Sequence, residues 1–193
     1  QTCALPIYPR DPNRLFVAVL GHPYGPNTER GIFRSTNGGQ SFERVLFKDE
    51  NTGGKDVDID PSNPNIVYAT MWEQRQGPWE NAMWGGSNGG IFKSTDGGTT
   101  WKPIMQGIPN GFSQAELAVA PSNPRRLYAT VGASGGAGVF RSDDAGDTWT
   151  RATTDPRIPG RIDEATPVIF PKDPDSLIVD RKSTRLNSSH VSE

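Results

Sequence analysis

Two short motifs alternate along this chain at intervals of about 50 residues, and that recurrence constrains the fold more than any other feature. The first is a Pro-x-x-Pro turn. It reads Pro9-Arg10-Asp11-Pro12, Pro61-Ser62-Asn63-Pro64, Pro121-Ser122-Asn123-Pro124 and Pro171-Lys172-Asp173-Pro174, with starts 52, 60 and 50 residues apart. The second lies between them: Ser35-Thr36-Asn37-Gly38-Gly39-Gln40-Ser41-Phe42, Ser94-Thr95-Asp96-Gly97-Gly98-Thr99-Thr100-Trp101, and Ser142-Asp143-Asp144-Ala145-Gly146-Asp147-Thr148-Trp149. Two anchors in the same order, three times over, specify a repeated supersecondary unit.

Each unit holds four runs rich in Val, Ile, Tyr, Phe and Thr, the residues that suit a pleated, half-buried surface. In the second unit they are Asp56–Asp60, Ile66–Met71, Gly90–Ser94 and Thr100–Ile104. In the third they are Glu116–Ala120, Leu127–Val131, Gly138–Ser142 and Thr148–Ala152. Four strands per repeat of this length is the blade of a β-propeller. A parallel β-helix is the rival, but its coils are much shorter. The expected fold is all-β: a β-propeller fragment of about three to three and a half four-stranded blades. Its predicted parts are 8–55 (partial blade 1), 56–106 (blade 2), 115–153 (blade 3) and 164–180 (partial blade 4). Closed propellers typically need 4–8 blades, so the remaining blades of a larger ring are expected partners, and this stretch alone is expected to aggregate through open sheet edges.

Composition agrees. The 22 Gly and 17 Pro make one residue in five a backbone punctuator, which cuts long helices short. Five Trp, eight Phe and four Tyr still supply a core. Lys and Arg number 20 against 22 Asp and Glu, so bulk charge points to neither nucleic acid nor an anionic membrane surface. No apolar run approaches the ~20 residues of a membrane helix. Cys3 is the single cysteine, which excludes an internal disulfide or a cysteine-based zinc cluster. No metal or cofactor is expected. Residues 1–7 and 181–193 are set aside as doubtful ends. The first lacks an initiating Met and any signal-peptide pattern, and the second reads like translated adaptor sequence, so its Asn187-Ser188-Ser189 sequon carries no weight.

The second anchor has a local explanation. Asn37, Asp96 or Asp144 can fold a side-chain oxygen onto the backbone ahead of it. The glycines that follow supply the positive φ of a tight turn. The closing aromatic is then expected to point inward between blades. Ser35, Asn37, Gly39 and Phe42, Ser94, Asp96, Gly98 and Trp101, and Ser142, Asp144, Gly146 and Trp149 are therefore expected to be folding staples, not a binding site. These S-x-D-x-G-x-[ST]-[WF] copies resemble the Asp-box (BNR) repeat propellers, a group that includes sialidases, xyloglucanases and sortilin-type receptor domains. Pro61-Ser-Asn-Pro-Asn-Ile-Val-Tyr-Ala-Thr70 followed by Gly90-Ile-Phe-Lys-Ser-Thr-Asp-Gly-Gly-Thr-Thr-Trp101 most resembles the sortilin-like (VPS10-type) propellers of large secreted bacterial proteins, often called glycosyl hydrolases. The resemblance spans about residues 9–180. It implies a secreted or periplasmic location. It is specific for fold and poor for function, because the repeat motifs are scaffold. Arg157-Ile158-Pro159 echoes a sialidase motif but follows the third box instead of preceding the first, so sialidase activity is not expected.

In an up-and-down blade, the Pro-x-x-Pro turns and the Asp-boxes share one end. The other end collects the variable loops 21–30, 73–89 and 132–137, with connections 47–55, 106–115 and 153–163. Binding sites favour variable loops on a constant scaffold. The loop Trp72-Glu73-Gln74-Arg75-Gln76-Gly77-Pro78-Trp79-Glu80-Asn81-Ala82-Met83-Trp84 offers aromatic faces between polar groups, suited to a glycan or a peptide. Its candidate contacts are Trp79, Trp84, Arg75 and Glu80, with Tyr24 and His22 from the neighbouring loop. The same Trp residues could equally fold back to pin the loop. For hydrolysis, two carboxylates are needed. Asp56 and Glu116 occupy equivalent repeat positions at the expected mouth of an inner strand, with Asp58 deeper. Three readings follow: a binding or scaffold module for peptide or glycan, part of a xyloglucanase-like glycoside hydrolase, or a purely structural assembly factor. Asp56-Val-Asp-Ile-Asp60 fails as a calcium loop, since Pro61 takes the glycine position. Gly85-Gly-Ser-Asn-Gly89 lacks the strand–turn–helix setting of a nucleophile elbow.

Overall fold

The computed structural model describes residues 2–4, 6–8, 10–22, 24–75 and 84–155. Twelve strands form there: β1 Thr2–Ala4, β2 Leu15–Val19, β3 Gly31–Ser35, β4 Glu43–Leu46, β5 Thr52–Ile59, β6 Val67–Glu73, β7 Gly90–Ser94, β8 Lys102–Pro103, β9 Phe112–Val119, β10 Leu127–Ala133, β11 Gly138–Ser142 and β12 Thr150–Arg151. They make three four-stranded sheets in the orders β1-β2-β3-β4, β5-β6-β7-β8 and β9-β10-β11-β12. Every pairing is antiparallel between sequence neighbours. These are three propeller blades. They stack face to face, β5 against β2 and β3, and β9 against β5 and β6. The predicted partial blade 4 (164–180), the segment 181–193, and the candidates Trp79 and Glu80 lie outside the described residues.

Several strand boundaries differ from expectation. Thr2–Ala4, set aside as a doubtful end, is the first strand of blade 1 and pairs with β2 at Thr2↔Val19 and Ala4↔Ala18. Three residues carry no readable period, so only the pairing reveals the strand. Strands β5 and β9 begin at Thr52 and Phe112, four residues earlier than predicted. Gly53 and Gly54 disguise β5 as a turn. They are needed because the strand crosses the backbone of blade 1: a Cβ on Gly53 would lie 2.6 Å from the Leu20 carbonyl oxygen, and one on Gly54 2.5 Å from that of Gly31. As a result Asp56 and Glu116 lie in mid-strand, opposite Thr70 and Thr130, and not at the strand mouth. The outermost strands shrink to two residues in blades 2 and 3. Pro103 is tolerated there because an edge strand can spare an N–H.

Two apolar seams join the blades. Phe16, Ala18 and Ile32 of blade 1 meet Val57, Ile59, Val67, Ala69, Met71 and Phe92 of blade 2. Tyr68, Ile91 and Ile104 of blade 2 meet Ala115, Leu127, Ala129, Val131, Phe140 and Trp149 of blade 3. The alternation of a strand is visible on β6, which sends Val67, Ala69 and Met71 to the first seam and Tyr68 to the second. Both faces of this middle blade are thus buried.

Candidate functional site

At one end of the blades, each Pro-x-x-Pro turn closes on its own Asp-box. The N–H groups of Gly38, Gly97 and Ala145 donate to the carbonyls of Asn13 (3.1 Å), Asn65 (2.9 Å) and Arg125 (2.8 Å). Inside the second box, the Ser94 hydroxyl accepts from the N–H of Gly98 (2.8 Å) and donates to Asp96 Oδ1 (2.8 Å). Asp96 Oδ1 accepts the N–H of Thr99 (2.9 Å) and Thr100 (2.8 Å), while Oδ2 takes the Thr100 hydroxyl (2.6 Å). The third box repeats this with Ser142, Gly146, Asp144 and Thr148. In the first, Asn37 Nδ2 donates to Ser41 Oγ (2.8 Å) instead. The Thr hydroxyls hold both carboxyls well below the usual range, Asp144 at about 2. The Ser94, Asp96, Ser142 and Asp144 side chains bond within their own turns, as a staple requires.

The closing aromatics differ in burial. Trp149 is 3% exposed and donates from Nε1 to the Ile104 carbonyl of the preceding blade (2.9 Å). Trp101 is partly buried against the first seam, and its Nε1 turns back to Gly98 (3.0 Å). Phe42 is 45% exposed, contrary to the expectation that all three rings point inward. Trp101 and Trp149 pack on the blade before their own, and among the described residues no sheet precedes blade 1.

The opposite end is organised by Arg30, whose side chain is fully buried. Its Nη1 donates to the carbonyls of Asn51 and Gln74 (both 2.9 Å), and its Nη2 to those of His22 (3.1 Å) and Gly25 (3.4 Å). One guanidinium thereby ties together the His22–Tyr24 loop, the connection before β5 and the root of the long Trp loop. Burial lowers its pKa, which Asp49 partly offsets. Arg30 is not among the candidate residues that the sequence singles out. Its signal was a break in the repeat, since Arg30-Gly31-Ile32-Phe33 matches Gly89-Gly90-Ile91-Phe92 and Ala137-Gly138-Val139-Phe140. A long cation stands where the other repeats have almost no side chain.

Beyond Arg30 the long loop leaves and returns on two stacked indoles. Trp72 and Trp84 have ring centroids 5.9 Å apart, and Trp72 Nε1 donates to the Trp84 carbonyl (2.9 Å). Glu73 accepts the Asn88 N–H (2.8 Å), while the Asn88 amide donates to Asp49 (2.7 Å). Trp84, 38% exposed, borders an open groove lined also by Ile108, Phe112, Asn88, Asn110 and Arg151. Trp72 is therefore a support and Trp84 a surface. His22 and Tyr24 are exposed on the loop that Arg30 anchors beside Gln74.

Two of the three candidate carboxylates, Asp56 and Asp58, face the seam between β5 and β9. Asp56 accepts the N–H of Val57 (2.9 Å) and of Leu117 in the next blade (2.7 Å). Asp58 does the same with Ile59 (2.9 Å) and Val119 (3.0 Å). Two side chains thus act as acceptors for an inner strand that has no ladder partner on that side. Burial pushes both carboxyls up against the pull of these amides, with a further push on Asp56 from Asp58 and Glu116. Glu116 itself is solvent-facing and pairs with Lys55 (3.0 Å). Among the described residues no group of three or more His, Cys, Asp or Glu side chains is placed to hold a metal ion.

The family model for the BNR/Asp-box repeat matches residues 92–103, the core of the second box. The chain folds as blades of an Asp-box β-propeller. The propeller structure of the GH74 enzyme from Niastella koreensis superposes with a TM-score of 0.57 at 23% identity, covering 80% of this chain and 23% of that one. The GH74 xyloglucanase of Xanthomonas campestris gives 0.55 at 18% identity, covering 79% and 23%. In sequence, the chain is 37% identical over 119 residues to a xyloglucanase of Paenibacillus sp., which covers 58% of this chain and 11% of the relative. The chain therefore spans about a tenth of that relative's length.

Proposed function

We propose that these blades belong to a propeller glycoside hydrolase acting on a xyloglucan-type polysaccharide, with the Arg30–Trp84 end toward the glycan. The likeness in sequence to the Paenibacillus xyloglucanase carries this reading, and it is preferred over a binding scaffold without chemistry or a sortilin-type peptide receptor. The half-exposed Trp84, fixed from behind by Trp72, supports it, because an indole held face-out at a groove is suited to stacking on a sugar ring. Arg75, Trp79 and Glu80 on the same loop, with Tyr24 and His22 beside it, are the further contacts in this reading. Asp56 and Asp58 brace the seam, and Glu116 is the one of the three carboxylates that presents itself to solvent. A polysaccharide too large to cross a membrane implies a secreted or periplasmic protein.

Titration calorimetry with xyloglucan oligosaccharides tests the proposal. Trp84→Ala is expected to weaken binding at least tenfold, about 1.4 kcal/mol or more, with the thermal melt little changed. Equal affinity of the variant, or binding of peptides but not of the oligosaccharides, would refute it.

A further inference from the structure

Asparagine followed by glycine is a reactive pair. Glycine has no Cβ, so its backbone nitrogen is unhindered as a nucleophile toward the side-chain amide carbon before it. The chain has three such pairs, Asn37-Gly38, Asn88-Gly89 and Asn110-Gly111. All three asparagines are exposed. Their hydrogen bonds set them apart. At Asn37 both reacting groups are held. Its Oδ1 accepts from the Ser35 hydroxyl (2.8 Å) and the Ser41 N–H (3.0 Å), and its Nδ2 donates to Ser41 Oγ (2.8 Å). The Gly38 N–H donates to the Asn13 carbonyl (3.1 Å). At Asn88 the leaving amide is held, because Nδ2 donates to Asp49 (2.7 Å). The Asn88 N–H donates to Glu73 (2.8 Å), so a carboxylate formed at this residue would meet two others at close range.

Asn110 has neither restraint. Among the described residues its side-chain amide and the Gly111 N–H have no hydrogen-bond partner. What is held at this pair is the two carbonyls. That of Asn110 accepts the Gly135 N–H and that of Gly111 accepts the Ser134 N–H, both at 3.0 Å. They clip the connection between blades 2 and 3 to the loop after β10, at the groove that Trp84 borders. The glycine is required by this clip. Gly111 holds φ 70°, and a Cβ there would lie 1.9 Å from Ser134 Oγ. The fold thus demands the residue that leaves Asn110 reactive.

We propose that Asn110 is a deamidation site and that its conversion releases this clip. The Gly111 nitrogen gives its proton to hydroxide and bonds to Cγ of Asn110. The Cγ–Nδ2 bond breaks, and the nitrogen leaves as ammonia with a proton taken from water. Water then opens the cyclic imide. Cleavage between Cγ and the Gly111 nitrogen gives aspartate. Cleavage between the Asn110 main-chain carbonyl carbon and that nitrogen gives isoaspartate. One amide and one water are consumed, and one carboxylate and one ammonium are produced. In isoaspartate the main chain runs through Cβ and Cγ, and the former Asn110 carbonyl becomes a free carboxylate. The partners of Ser134 and Gly135 are then no longer held in register. Either product also adds a negative charge to a groove whose charged lining is Lys48 and Arg151.

The test ages the full chain at mildly alkaline pH, once folded and once in urea, and follows each asparagine by peptide mass spectrometry. Dividing the folded rate by the urea rate at each site removes the effect of local sequence. The quotient for Asn110 is expected to exceed those for Asn37 and Asn88 several-fold, with ammonia released in step and a rate that rises with pH. In the aged chain, hydrogen exchange at Ser134 and Gly135 is expected to quicken, while the Asp-box amides of Gly98 and Gly146 keep their protection. Asn110→Gln, at an exposed side chain, is expected to fold as the wild type does and to age without that change. A folded chain in which Asn110 does not convert, or in which Asn37 or Asn88 has an equal or larger quotient, overturns the proposal. Conversion that leaves exchange at Ser134 and Gly135 unchanged, or the same quickening in aged Asn110→Gln, overturns it equally.

Discussion

Replacing the closing aromatics one at a time by alanine reads out how the blades are locked. Trp149 buries nearly all of its surface between blades 2 and 3 and donates to the Ile104 carbonyl. A tryptophan buries on the order of 200 Å², which at about 25 cal/mol per Å² amounts to about 5 kcal/mol as an upper bound. Alanine retains a small part of this, but the Ile104 carbonyl loses its donor, at about 1 kcal/mol. Trp149→Ala should therefore cost about 4 kcal/mol, within the usual range for large core truncations. Trp101 is partly covered against the first seam and satisfies its own turn, so Trp101→Ala should cost about 3 kcal/mol on the same scale. Phe42, the most exposed of the three, should cost about 1 kcal/mol or less. Urea unfolding followed by far-UV circular dichroism measures all three without relying on indole emission. If Trp149→Ala costs no more than Phe42→Ala, the rings do not lock each blade to the one before.

Three further outcomes follow from the same geometry. Ala145 holds φ 63° at the box position where the other two repeats have glycine, so Ala145→Gly should stabilise the chain by about 0.5–1 kcal/mol in the same urea assay. Arg30→Met strands four backbone carbonyls. It should cost about 3 kcal/mol or more and speed amide exchange at Asn27 and Gln74, leaving the Asp-box amides unchanged. Acid–base titration of stability should show two opposed slopes. Burial raises Asp56 and Asp58, so the folded chain holds those protons more tightly and their contribution falls as pH rises above 3.8. Asp96 and Asp144 are lowered, so their contribution is present above 3.8 and is lost as pH falls, toward about 2 for Asp144. Asp56→Asn should flatten the first slope and leave the second, as read from urea midpoints. The same variant in a hydrolysis assay separates a brace from a catalytic acid, because only the latter would lose turnover with the melt intact.

The blade repeat was legible because its devices are local. Ser94, Asp96 and Thr100 bond within seven residues, and the turn at Asp60–Ile66 closes on itself through three backbone bonds. Short-range geometry of that kind leaves spacing and composition that survive in sequence. The early start of β5 was hidden because Gly53 and Gly54 mark close approach to another blade, and a glycine does not say whether it serves a turn or a crossing backbone. Arg30 was hidden because a cation on a loop reads as solvated until three loops are seen to close over it.

Sequence alone thus determined the four-stranded unit, its staples, and the division into a constant and a variable end, all consequences of contacts between near neighbours. Tertiary structure decided what equivalent positions do. Tyr68 and Tyr128, or Asp56 and Glu116, are interchangeable in the repeat, yet Tyr68 is buried and Tyr128 is not, and Asp56 grips the next strand while Glu116 faces water. The physical reason is that a side chain's environment is set by the blade stacked against it, and that blade lies about 50 residues away in sequence.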